Sequence, residues 1–276
     1  MGLLEALQSI VRSLGFQVSI TTFLALFGLV FTRLLAAIAL TPFLGGGSVP
    51  VRARVGLAVI IAAILFPGLT SNAQESELTA LLFIGLLTKE AMIGATLGLV
   101  TQLFFYAVQM AGTLIDTQRG MNQATFFSPQ LPGNASILGQ LKFQAALALF
   151  LATNGHLVFL RGLSGSFQDV PLLDFPRFHM GLQGIAEQVI HLSSSILLTA
   201  VQLSAPALLA LFLVDVAFAT LGKVVPQIQV HFESQTVKSL VGLALVFLSI
   251  GLVMEQVQRH LLRMIREAVS LSKLFG

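Results

Sequence analysis

Asp116 and Arg119 stand three residues apart at the head of a polar octet, Asp116 to Gln123, which follows a run without charge from Ala91 to Ile115. Opposite charges at that spacing, in a loop or at a frayed helix end, are more often a local ion pair than a catalytic dyad. The five histidines, His156, His179, His191, His231 and His260, fall into no HxxxH or HExxH spacing, and the chain has no cysteine. Zinc, iron–sulfur and thiolate chemistry therefore lack a ligand set. There is no GxSxG or GxxxxGK[ST], and Gly45-Gly46-Gly47 lacks the strand-and-helix context of a phosphate loop. The chain reads as non-enzymatic, with no catalytic residue, no cofactor and no metal.

Four further charges lie within or against apolar segments: Arg33, Lys89, Glu90 and Asp215. A charge at bilayer depth is costly and takes a partner. Arg33 is expected to snorkel or to pair with a neighbouring helix. Lys89 and Glu90 leave a helix in different directions, so each is expected to meet another helix or another subunit rather than its neighbour. Ion or proton sites of a secondary transporter are the competing use of these four residues. That design comes with inverted repeats, and no repeat is evident here. An intramembrane enzyme is a third reading. His156 has no carboxylate three or four residues away and is read as a hydrogen-bonded helix histidine, not a proton relay.

The elements that must position these residues are helices in an apolar setting. Of 276 residues, 55% are apolar and 10% charged, and mean hydropathy is +0.90; soluble domains carry roughly 25% charged residues. Residues 13–32 and 34–51 are free of charge, and either run can cross a hydrocarbon layer of roughly 30 Å. One helix from about Val18 to Leu40 places Arg33 inside it. A second segment opens at Pro50-x-Arg52-x-Arg54 and is broken by Pro67-Gly68. A third starts near Leu78, passes Lys89-Glu90 and Gly94-x-x-x-Gly98, and reaches Ile115. The polar octet, Phe126-Phe127, Ser128-Pro129 and Leu131-Pro132-Gly133 then read as non-helical backbone, which needs protein or water around it because lipid satisfies no backbone group. Asn134 or Ser136 can cap the next helix, through Lys142 to about Leu160. Residues 162–179 read as an external loop, Leu182 to Val214 as a long helix kinked at Pro206, and 222–234 as a connection. The span from Ser239 to Met254 is short, and residues 255–276 form a basic amphipathic helix suited to membrane lipid.

Lysines and arginines divide almost evenly between the two sides of such a bundle, seven against six. A bundle surrounded only by lipid sorts them better. Much of the apolar surface is therefore expected to lie against other protein chains. The small cationic surplus, +3, is concentrated in the tail and argues for lipid headgroups rather than nucleic acid.

These stretches resemble the FliR/SctT family, the R- or T-type export-gate subunit of bacterial type III secretion systems, flagellar and injectisome. The resemblance rests on Pro50-x-Arg52-x-Arg54-x-Gly56-Leu-Ala58, Lys89-Glu90 with Gly94 and Gly98, Ala111-Gly112-x-x-Ile115-Asp116-x-Gln118-Arg119-Gly120, Asn154-Gly155-His156, and Gln202-Leu-Ser-Ala-Pro206 through Asp215 to Pro226-Gln227-Ile-Gln229-Val230. It covers nearly the whole chain, and the Asp116-x-Gln118-Arg119-Gly120 form is closer to injectisome members. It implies an all-α, multi-helix integral membrane-type protein with long kinked helices and helical hairpins packed into a multi-subunit export gate. The whole chain, 1–276, is then one export-gate domain. Helices occupy 1–115, a plug loop about 114–134, hairpins 135–254 and the basic helix 255–276.

The implied partners are P/R-type and Q/S-type gate subunits, the B/U-type switch protein and the large A/V-type export subunit, with unfolded exported proteins as substrates. The implied location is the bacterial inner membrane, at the base of a secretion or flagellar basal body. Plug and gasket residues map to Leu114, Ile115, Asp116, Thr117, Gln118, Arg119, Gly120, Met121, Asn122, Gln123, Phe126 and Phe127, with Met110 a further compliant contact. Charges expected at subunit contacts are Arg33, Arg52, Arg54, Lys89, Glu90, Asp215, Lys223 and Lys238.

Overall fold

A computed structural model describes residues 19–45, 49–70, 79–121, 136–175, 181–225, 233–245, 247 and 255. Among them are α1 (Ile20–Leu40), the single turn α2 (Pro42–Gly45), α3 (Val51–Thr70), α4 (Ala80–Gln118), α5 (Ile137–Ala152), α6 (Gly155–Asp169), α7 (Gly181–Val224) and α8 (residues 233–245). No strand occurs among the described residues. Four helices are long and apolar enough to cross a membrane, or five if the broken pair α5 and α6 counts as one span. This is an all-α protein of membrane type.

The chain divides into two compact units, both drawing on α4. In the first, α1 starts where the Ser19 hydroxyl accepts from the Thr22 N–H and ends at Thr41, immediately before Pro42. Its buried residues, Leu26, Leu29, Val30, Arg33, Leu34, Ala37 and Ile38, recur at the three- and four-residue spacing of one helix face. α4 lies tightly against that face, since a Cβ on Gly94 would run into the Arg33 carbonyl and one on Gly98 into Ala37 and Leu40. Only glycine lets the backbones approach so closely. Phe66 of α3 meets Phe23 edge-on at 4.8 Å. Phe43 of α2 meets Phe159 of α6 at 5.3 Å.

In the second unit α5 packs on the end of α4. A Cβ on Gly112 would overlap the backbone at Leu138 and Gly139, and Phe105 stacks edge-to-face with Phe143 and Phe150 at 5.9 and 5.5 Å. Ile115, Leu138, Ala207 and Leu211 form a buried cluster against which Val241 packs, so α4, α5, α7 and α8 share one core.

Several boundaries differ from the sequence expectation. The segment from Leu114 to Gln118, expected in a loop, is helical: α4 runs for 39 residues to Gln118 because Asp116 and Arg119 find partners inside the unit. The helix instead stops at Gly120, whose φ of +76° is a left-handed C-terminal cap. The helix expected to continue from Ser136 to Leu160 is interrupted at Thr153 and Asn154, where Asn154 takes φ +59°. It resumes as α6, so 162–169 is helix and not loop. Pro67 and Pro206 both lie inside helices; Pro67 stands close enough to the end of α3 that the turn it weakens is nearly the last.

Helix length exceeds what a simple crossing needs. At 1.5 Å per residue α4 and α7 extend for about 58 and 66 Å, roughly twice the hydrocarbon thickness.

Candidate functional site

Each unit holds one buried polar cluster. In the first, Arg33 is fully buried and its guanidinium is saturated. Nε and Nη2 grip the two oxygens of Glu90, the latter at 2.9 Å. Nη1 donates to the Ser166 carbonyl at 2.6 Å and the Ser166 hydroxyl at 3.2 Å, and Nη2 also donates to the Val170 carbonyl at 2.9 Å. The Phe167 ring lies 4.1 Å from the guanidinium carbon, a cation–π contact. Lys89 donates to the carbonyls of Pro171, Leu172 and Asp174 at 2.9, 2.9 and 3.0 Å, and its ammonium lies 2.7 Å from Glu90 Oε1. Two cations and one carboxylate thus close the open carbonyl end of α6 and the turn after it, where positive charge also suits the helix dipole.

Arg33 pairs with a neighbouring helix, as its position required. Lys89 and Glu90 each meet another element, as expected, Glu90 taking Arg33 of α1 and Lys89 the turn after α6. They also contact each other, against the expectation, and Arg33, Lys89 and Glu90 are buried within this chain, with 5% exposure or less, rather than set out at a subunit contact. Arg52 is exposed and Arg54 donates to the Val49 carbonyl at 3.0 Å.

In the second unit Asp116 is the centre. Its Oδ1 accepts from Arg119 Nη1 at 3.1 Å, and its Oδ2 from the Ser136 hydroxyl at 2.7 Å and the Leu138 N–H at 2.9 Å. The Ser136 oxygen takes the Gly139 N–H at 2.8 Å, so carboxylate and hydroxyl together cap the first turn of α5. Arg119 Nη2 reaches the Ser239 carbonyl and hydroxyl at 3.0 and 3.2 Å, and its stem lies against Gly242, where a Cβ would overlap it. Its Nε is buried without a hydrogen bond among the described residues. Gln118 donates to Asp215 Oδ2 at 3.1 Å, while Asp215 pairs with Lys238. The Gln235 amide packs on Gly120. The end of α4 is thereby tied to α5, α7 and α8.

Of the mapped plug residues, Ile115, Asp116 and Arg119 are buried, Leu114, Gln118, Gly120 and Met121 half-buried and Thr117 exposed. Asn122, Gln123, Phe126 and Phe127 lie outside the described residues. Exposed Tyr106, Met110, Thr113 and Thr117 follow one another at helical spacing and form the open face of this half of α4. Lys223 is exposed. His156 departs from its expected role, since its Nδ1 is buried with no hydrogen-bond partner among the described residues. Sequence reasoning assigned no role to Ser166, Phe167, Ser239, Gly242 or Lys142. Only Ser136, as a cap, carried a local signal. Among the described residues no group of three metal-ligating side chains comes together.

The family model for bacterial export proteins, family 1, matches residues 24–264. The flagellar biosynthetic protein FliR of Bacillus subtilis is 32% identical over 228 residues, covering 82% of this chain and 86% of the relative. FliR of Escherichia coli is 30% identical over 77% and 79% of the two chains. Yop proteins translocation protein T of Yersinia pestis is 28% identical over 78% and 81%. Identities this close give no preference to the injectisome-like reading of residues 116–120. The buried clusters and the open face of α4 all fall within the matched residues, and the chain belongs to the bacterial export proteins, family 1.

Proposed function

We propose that this chain is a core channel subunit of a bacterial type III protein export apparatus in the inner membrane. With P/R-type and Q/S-type subunits it builds a gated pore for unfolded proteins, and it docks the B/U-type switch protein and the large A/V-type subunit. It carries out no covalent chemistry, and energy for transport comes from elsewhere. The polar segment from Leu114 to Gln123 seals the pore, with Phe126, Phe127 and Met110 adding contact. The observation that carries this reading is the way α4 ends: Asp116 and Arg119 turn inward to anchor the helix, while Met110, Thr113 and Thr117 lie exposed along one face, where a neighbour or a passing chain can meet them. Asp215, Lys223, Lys238, Arg52 and Arg54 remain candidates for subunit contacts.

The transporter reading loses three of its four residues. Arg33, Lys89 and Glu90 direct their hydrogen bonds to one another and to carbonyls of their own chain, and the fourth, Asp215, is paired with Lys238. A photocrosslinking residue at Thr117 tests the proposal. During export it should capture substrate polypeptide, and a crosslinker at exposed Leu81 should not. Equal capture at both, or none at Thr117 in an actively exporting complex, would remove the pore assignment.

A further inference from the structure

Of the four described helices able to cross a membrane, α3 is the least enclosed: 17% of its most apolar stretch is buried, against 39% to 50% in α1, α4 and α7. It packs along one seam. Ala58, Ala62 and Phe66, spaced by four residues, are buried, and the Phe66 ring centre lies 4.8 and 5.7 Å from those of Phe23 and Phe27 of α1. The rest of its circumference is open and just as apolar. Val59, Ile60 and Ile64 are 40%, 59% and 71% exposed, and Ala63, Pro67 and Gly68 lie exposed with them. From Val55 to Leu69 no side chain is polar. A helix that is apolar on every side needs an apolar surrounding on every side.

Water does not suit this surface, because contiguous apolar area marks a contact with protein or membrane. Helices in a membrane meet through small residues that let backbones close in, or through polar groups that bond across the contact. α1 and α4 use both, Gly94 and Gly98 together with the Arg33–Glu90 pair. The open side of α3 offers no polar group, its bulk comes from branched aliphatic chains, and Gly56 and Gly68 have nothing within 4 Å of an added Cβ. Acyl chains require neither device. The dimensions agree: 20 residues at 1.5 Å each give about 30 Å, one hydrocarbon thickness, whereas α4 and α7 are about twice as long. So does the charge, since Arg52 is exposed in the first turn of α3, where a guanidinium reaches headgroup phosphates while its stem stays in the apolar layer. We propose that the open side of α3 is a lipid-facing surface, with phospholipid acyl chains along Val59, Ile60, Ala63 and Ile64 and headgroup phosphates at the level of Arg52. This goes beyond the pore reading and does not depend on it.

The test places the complete wild-type export complex in phosphatidylethanolamine and phosphatidylglycerol vesicles doped with a phosphatidylcholine that carries a photoreactive diazirine in its acyl chain. Mass spectrometry should find the label on α3 around residues 59–64 and none around residues 113–117. Gly56→Leu and Ala63→Leu should assemble as wild type, because fluid chains make room for bulk that a packed protein contact does not accept. Ile60→Asp should cut the assembled complex at least about tenfold, since a carboxylate in the middle of a membrane helix is disfavoured by more than one tenfold step. An unlabelled α3 in a complex labelled elsewhere overturns the proposal. So does loss of assembly in Gly56→Leu or Ala63→Leu, which would put a partner subunit on this face and make Arg52 a subunit contact. Wild-type assembly of Ile60→Asp would put water there and overturns it too. Label around residues 113–117 would instead remove the pore reading and leave the α3 result standing, so the two failures are distinguishable.

Discussion

Arg33 and Glu90, 57 residues apart in the sequence, meet as a fully buried pair in which two guanidinium nitrogens face two carboxylate oxygens. The remaining Arg33 donors, and Lys89 from beside Glu90, are turned onto the end of α6 and the residues after it. Charges that look misplaced in an apolar helix thus work as a clasp for a helix terminus that has no intrahelical partners.

Removing the single carboxylate should be severe. Glu90→Gln leaves two buried cations without an anion, and a broken buried pair typically costs about 3–5 kcal/mol. The purified complex should melt many degrees lower or fail to accumulate. Arg33→Lys should also weaken it, because an ammonium cannot span Glu90, Ser166 and Val170 together.

Glycines separate into two groups. Gly94→Ala and Gly112→Ala put a methyl into the backbone of a neighbouring helix, and rigid backbone cannot yield, so both should reduce assembly sharply. Gly56 and Gly68 have nothing within 4 Å of an added Cβ; alanine there should stabilise by about 0.5–1 kcal/mol. Melting temperatures of the four variants check the ordering.

Gly120 faces two separate obstacles to a side chain, its φ of +76° and the overlying Gln235 amide. Gly120→Ala should lower the melting temperature, and adding Gln235→Ala should recover the steric part only. The residual loss should correspond to about 1 kcal/mol, the cost of the left-handed region for an L residue.

The Asp215–Lys238 pair is partly exposed, with the Asp215 side chain at 34%. Lys238→Met should therefore cost under about 1 kcal/mol. A much larger loss of assembled complex than of subunit stability would identify this pair as a subunit contact.

Helix placement was largely legible in the sequence. Charge-free runs located α1 and α4, Ser136 announced the start of α5, and Pro42 the end of α1. What escaped was the use of isolated polar residues. The spacing of Asp116 and Arg119 indicates their ion pair, but nothing local indicates that Ser136, Leu138 and Ser239 complete it and allow the helix to continue to Gln118. Adjacent Lys89 and Glu90 look unable to meet, and nothing local shows that Arg33 of α1 holds Glu90 while the turn after α6 holds Lys89 beside it. The break at Asn154 needed a left-handed residue where the sequence offered a good helix on either side, and its cue, Asn before Gly155, is weak in an apolar stretch.

The central claim is that the polar end of α4 and the residues after it seal an export pore. The direct measurement is ion flux through reconstituted, fully assembled complexes carrying a deletion of residues 121–127, which spares the Asp116–Arg119 anchor. The account predicts a steady ion leak in the deletion complex and none in wild type. An assembled deletion complex as tight to ions as wild type would contradict it.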